Sequence, residues 1–305
     1  MIERIVVPLD GSMTAEAILP QVRRVLYRKD SEIILVRAVD PPVVENGILV
    51  AEEALAAARE YILGKVERLQ QEGVRVRHVV RIGSPVGIIL DVVESEHGTM
   101  IALATHGATG LKRLLFGSVA ESLIRKSPVP VLLVRPFWSY DLIPAGSPEQ
   151  RPIRKLLLPV DGSGRARESL PGVIEFASLF DTQVVLLRIL EGADRRPIGA
   201  SERARAESEL GDLAKEIEKS GVETFRLLGA GDPAARILKT VDEQGIDVIA
   251  MATHGRTGVS RLRKGSITEA VLRKADVPIL VTRLAKTASS SSPLTGRKAV
   301  GTKGR

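Results

Sequence analysis

The sequence predicts two tandem doubly wound α/β domains, each a five-stranded parallel sheet of order 3-2-1-4-5 with helices on both faces. Three observations predict it. Short apolar runs rich in Val, Ile and Leu alternate with longer amphipathic stretches, the pattern of strands buried on both sides by crossover helices. The plan then occurs twice, and its most similar stretches are ATHGATGLKRLLFGS at residues 104–118 and ATHGRTGVSRLRKGS at 252–266, identical at 10 of 15 positions. Finally, a break rich in proline, glycine and polar residues separates the copies, and 305 residues accommodate two ordinary domains.

Residues 2–9 form the first expected strand, and Asp10-Gly11-Ser12 supplies a turn and a helix start, with helix to about Tyr27. Residues 32–39 are the second strand, stopped by Pro41-Pro42, and a long helix covers 51–72. Residues 75–82 are the third strand, after which Gly83-Ser84-Pro85 places a cap and an N-terminal proline before a helix over 85–96. Strand 100–105 delivers the chain into the repeated loop, followed by helix 118–126 and strand 129–135.

The second copy follows the same order: strand 153–160, turn Asp161-Gly162-Ser163, helix to Phe180, strand 183–190, helix 201–219, strand 223–228, the cap Gly231-Asp232-Pro233, strand 247–253, the second loop, helix 266–274 and strand 277–283. The expected domains are therefore 1–136 and 152–284, with a linker at 137–151 and a basic tail at 285–305. Asp10 precedes Asp161 by 151 residues and Gly107 precedes Gly255 by 148, so the second copy is three residues shorter in between.

Composition narrows the chemistry. There is no cysteine, which excludes disulfides and thiolate metal sites and suits a reducing, cytoplasmic setting. The start reads as a first strand rather than a secretory leader, and no apolar run reaches the length of a membrane span. Aromatic residues are only 3% of the chain, too few for base-stacking platforms. Of the formal charge of +7, five units belong to Lys286, Arg297, Lys298, Lys303 and Arg305 in the tail, so no nucleic-acid partner is expected for a nearly neutral body.

The candidate site lies in the repeated loops. Gly107 is separated by nine residues from Gly117-Ser118, and Gly255 likewise from Gly265-Ser266. A loop that leaves a strand and returns at a helix N-terminus can surround an anion, with glycine N–H groups approaching phosphate unhindered. A bland reading stands beside each feature. Asp10 and Asp161 could cap helices, His106 and His254 could simply face solvent, and the basic cluster Arg256, Arg261, Arg263 and Lys264 could keep the second loop soluble where the first has Leu115-Phe116.

With both loops, and with Pro8, Asp10, Gly11 and Ser12 matched by Pro159, Asp161, Gly162 and Ser163, the chain resembles a tandem member of the universal stress protein family. The family's loop pattern is Gly, two residues, Gly, nine residues, Gly, then Ser or Thr; here Ala104 and Ala252 replace its first glycine. The resemblance implies ATP as ligand, with Mg²⁺ accompanying it. Pro8, Asp10, Pro159 and Asp161 would meet the nucleoside, and Ala38 and Ile189 would flank adenine. Ala104, His106, Gly107, Gly117, Ser118 and Val119 would surround the phosphates, as would Ala252, His254, Gly255, Gly265, Ser266 and Ile267 in the second half.

The resemblance also implies an intramolecular pseudo-dimer through the two fifth strands, with room for two chains to associate as a homodimer. No catalytic residue and no protein-built metal site is expected. The leading expectation is an ATP-binding stress-response sensor or regulator. A slow Mg-dependent ATPase and a scaffold that binds no nucleotide and acts through protein or nucleic-acid partners are the alternatives.

Overall fold

The computed structural model describes residues 3–25, 31–40, 48–105, 117–135, 152–163, 165–190, 198–253 and 267–283. The strands of the first half are β1 (Glu3–Pro8), β2 (Ser31–Val39), β3 (Arg75–Ile82), β4 (Met100–Ala104) and β5 (Val131–Val134). Its helices are α1 (Met13–Glu16), α2 (Leu19–Val25), α3 (Ile48–Gln71), α4 (Pro85–Ser95) and α5 (Ser118–Lys126). The second half contributes β6 (Lys155–Val160), α6 (Arg165–Phe180), β7 (Gln183–Leu190), α7 (Ala200–Glu218), β8 (Thr224–Ala230), α8 (Pro233–Gln244), β9 (Val248–Thr253), α9 (Ile267–Lys274) and β10 (Ile279–Arg283).

The strands join one sheet of order β3-β2-β1-β4-β5-β10-β9-β6-β7-β8, so the expected 3-2-1-4-5 order is present in each half. Pairing is parallel within each half. At the centre β5 and β10 pair antiparallel, with Leu132 opposite Leu280.

Strands covered on both faces need apolar residues at successive positions, because neighbours point to opposite sides. Ile5, Val6 and Val7 are all fully buried. Ile5 and Val7 join the core beneath α2, α3, α6 and α7, whereas Val6 joins the one beneath α4, α5, α8 and α9. Each core contains residues from both halves, so the sheet's two faces are continuous across the seam. The long helices supply their share at helical spacing: Ile62, Val66 and Leu69 from α3, and Leu210, Leu213 and Ile217 from α7.

Three local features depart from the expected elements. The first helix is interrupted at Ala17-Ile18, and Pro20, which cannot donate to the preceding turn, becomes the second residue of α2. The equivalent Pro171 is held inside the unbroken α6. β5 and β10 start one residue beyond Pro130 and Pro278, since proline has no N–H for the ladder. Ser84 stands at the N-cap of α4 without a side-chain cap hydrogen bond, whereas the expected cap of α8 forms. Asp232 accepts the Ala235 N–H at 2.8 Å at the start of α8, and Gly245 closes that helix in the left-handed conformation at φ 60°.

Candidate functional site

The strand order reverses between β1 and β4, and there the carboxyl ends of the first-half strands open a crevice. β1 stops pairing with β2 at Pro8 opposite Val36, whereas β2 continues to Val39. The Val36 carbonyl accepts the Leu9 N–H and the Val39 carbonyl accepts the Gly83 N–H, both at 2.9 Å. Peptide groups alternate sides along a strand, so those of Ala38 face the gap beyond β1. Ala38 thus presents a main-chain donor and acceptor to that gap.

A cavity of about 300 Å³ fills this place and is lined by Pro8, Asp10, Ala38, Ala104, Gly117, Ser118 and Val119. The structure therefore brings together seven sequence-predicted residues from β1, β2, β4 and the start of α5. Gly117 caps α5 at φ −66°, an angle open to any residue, so what its missing side chain supplies is room. No side chain caps α5, which leaves the N–H groups of its first turn directed at the cavity. Ala104 is an ordinary strand residue paired with Val134, so the alanine that replaces the family's glycine stands where glycine is not required.

Asp10 braces the turn rather than capping the helix. Its Oδ1 accepts the Ser12 N–H at 2.9 Å and the Ser12 hydroxyl at 2.6 Å, while Ser12 itself accepts the Ala15 N–H and caps α1. The turn demands glycine at Gly11, whose φ of +86° is left-handed. Burial pushes the Asp10 carboxyl up, but the bonds from Ser12 and then the charge of Arg37 outweigh it and hold the group below its ordinary value. Asp161 repeats the arrangement, accepting the Ser163 N–H at 2.8 Å beside Gly162 at φ +76°. Its carboxyl is also held low: burial opposes the shift, and Ser163 and Arg188 favour it.

In the second half, Pro159 lies near the end of β6, Asp161 in the turn beyond it, Ile189 near the end of β7, Ala252 on β9 opposite Thr282, and Ile267 at the first position of α9. His106, Gly107, His254, Gly255, Gly265 and Ser266 lie outside the described residues, as do Leu115-Phe116 and the basic cluster from Arg256 to Lys264. Among the described residues, no group of three or more His, Asp or Glu side chains is placed to hold a metal ion.

Sequence reasoning missed four cavity residues that matter: Arg37, Asp40, Pro85 and Ile89. Pro85 and Ile89 supply an apolar wall from α4, and Arg37 supplies a cation. The available signal for Arg37 was its recurrence as Arg188, 151 residues later and one residue before the strand-edge position in each copy.

A family model described as the universal stress protein family matches residues 1–135 and 152–283. A universal stress protein of Mycolicibacterium smegmatis is 24% identical over 296 residues, spanning 92% of this chain and 96% of that protein. Another, from Methanocaldococcus jannaschii, is 27% identical over 153 residues, 43% of this chain and 94% of that protein. The crystal structure of a universal stress protein from Archaeoglobus fulgidus is similar in fold, with a TM-score of 0.68 at 21% identity over 93% of this chain and all of that one. Among the described residues, no helix is long and apolar enough to cross a membrane.

Proposed function

Because the chain belongs to the universal stress protein family, we propose that it is a stress-response regulator that binds ATP in the first-half cavity and signals by the difference between its empty and filled states. The observation that carries this reading is the convergence of Pro8, Asp10, Ala38, Ala104, Gly117, Ser118 and Val119 on one crevice at the strand-order reversal. Its volume of about 300 Å³ suits part of a nucleotide, with the remainder at the open mouth.

Each wall has a chemical counterpart in the ligand. The Ala38 peptide edge offers a donor and an acceptor to a purine, with Pro85 and Ile89 beside it as apolar cover. Asp10, kept anionic by Ser12, accepts a ribose hydroxyl. The α5 N-terminus, with Gly117 and Ser118, faces the phosphates. Mg²⁺ would be held largely by the phosphates themselves. A carboxylate held below its ordinary value stays ionised and suits accepting hydrogen bonds from the ribose hydroxyls.

In this reading residues 1–136 and 152–284 are the two domains, 137–151 joins them, and the β5–β10 pairing is an internal dimer interface. Mass spectrometry of gently purified, then denatured, protein should release ATP or ADP, and Mg-ATP should raise the melting temperature. Gly117→Glu should abolish both effects in the first half by filling the cavity. Repeated absence of nucleotide together with no thermal shift would refute the reading.

A further inference from the structure

The two halves place an arginine at the same point and give it different partners. Arg37 and Arg188 each precede the strand-edge residue, Ala38 or Ile189, and each lies over the glycine of the adjacent turn. Arg37 Nη2 is 3.8 Å from where a Cβ on Gly11 would stand, and Arg188 Nη2 is 2.8 Å from the corresponding point on Gly162. In the second half Arg188 Nη1 donates to the Ile189 carbonyl at 2.9 Å, and Arg188 Nε lies 3.8 Å from Glu209 Oε2. Glu209 is held in turn by Arg205, whose Nε donates to Oε1 at 3.0 Å.

The Leu190 carbonyl turns to β8, where it accepts the Gly231 N–H, so the Ile189 carbonyl faces the gap beyond β6. That carbonyl is the second-half equivalent of the Ala38 acceptor, and Arg188 occupies it.

The residue equivalent to Glu209 in the first half is Tyr61, 148 residues earlier, the same offset as between Gly73 and Gly221 and between Pro85 and Pro233. Tyr61 is bonded elsewhere: its hydroxyl donates to Glu16 Oε1 at 2.9 Å, and Lys65 holds Glu16 Oε2 at 2.6 Å. Arg37 makes no hydrogen bond or ion pair among the described residues. Its Nε is buried without a hydrogen-bond partner, as is that of Arg188, and the residue lines the cavity. The Asp10 charge acts on the guanidinium without a hydrogen bond between them, so its planar fork keeps donors that match phosphate oxygens.

We propose that the Tyr61/Glu209 difference makes the chain a one-nucleotide binder: Arg37 contacts the anionic part of a nucleotide in the first half, and the Glu209-held Arg188 closes the second half by occupying the Ile189 acceptor. The inference rests on the nucleotide reading of the first-half cavity.

Equilibrium dialysis of the intact chain against Mg-ATP tests it. The wild type takes one equivalent; Glu209→Tyr and Glu209→Gln each release Arg188 and raise the number to two. Arg37→Gln raises Kd by about tenfold, the loss of one charge-assisted contact. Thermal melts of each variant establish that it is folded, and Glu209→Gln, the smaller change, decides if Glu209→Tyr does not fold. Two equivalents on the wild type, or one equivalent on the folded Glu209 variants, would overturn the inference and leave the ATP reading standing. No binding by the wild type would remove both.

Discussion

Gly172 of α6 and Thr282 of β10 are in close contact: a Cβ on Gly172 would lie 3.1 Å from Thr282 Cγ2, and 3.8 Å from Pro130 Cγ of the other half. Thr282 is 1% exposed, and its hydroxyl has no partner. An orphaned buried hydroxyl opposes folding, whereas a methyl of the same size does not. Thr282→Val should therefore stabilise the protein by about 1 kcal/mol in urea unfolding. Gly172→Leu should destabilise it by about 1–3 kcal/mol, because a full side chain must displace the helix from the sheet.

Leu132 and Leu280 face each other across the seam and are both fully buried. Leu280→Ala should cost about 2–5 kcal/mol, the range for a leucine truncated in a packed core. Since both cores run through the seam, calorimetry should show one unfolding transition that moves as a whole. Two transitions, of which only one shifts, would contradict the shared core.

The pH response of Asp10 has a definite sign. Its carboxyl is below its ordinary value in the folded protein, so its contribution to stability is present above the unfolded carboxylate range, near 4, and is lost as pH falls through the lower folded value. Asp10→Asn keeps an acceptor for Ser12 but lacks the charge. The stability gap between the two proteins should be widest at neutral pH and close on acidification. A gap that stays constant from neutral to acid pH would show that the charge is not the cause.

Burial, then the hydrogen bond to Glu16 and that residue's charge, push the Tyr61 phenol above its ordinary range. Tyr61→Phe should remove a late-titrating phenol from an ultraviolet titration. It should also cost roughly 1–2 kcal/mol, the scale for a hydrogen bond to a charged group, with Lys65 left on Glu16. An unchanged urea midpoint would mean that the phenol contributes packing alone.

The parts of the molecule that depend on backbone burial were legible in the sequence. β1, β2, β6 and β7 bury both faces, so each holds three or more successive apolar residues, and the repeat marked equivalent strands in both halves. Proline was a weaker guide: Pro20 coincides with a break between α1 and α2, whereas Pro171 sits within α6. At the site, Gly117, Ser118 and Asp10 announced themselves by motif. Arg37 did not, because it is one residue inside the run of β2 and reads as part of the strand. The different roles of Tyr61 and Glu209 depend on which side chain crosses from the long helix to the neighbouring strand, a tertiary contact that no local pattern encodes.

The antiparallel seam between β5 and β10 has a consequence for whatever reads this protein. Because every strand of one half runs against every strand of the other, the carboxyl ends of β1, β2 and β4 emerge at one rim of the sheet, and those of β6, β7 and β9 emerge at the opposite rim. Asp10 and Asp161 therefore look out into solvent in opposite directions. A flat partner surface can engage one rim at a time, so recognition of both requires a partner that wraps the sheet or two partners bound at once.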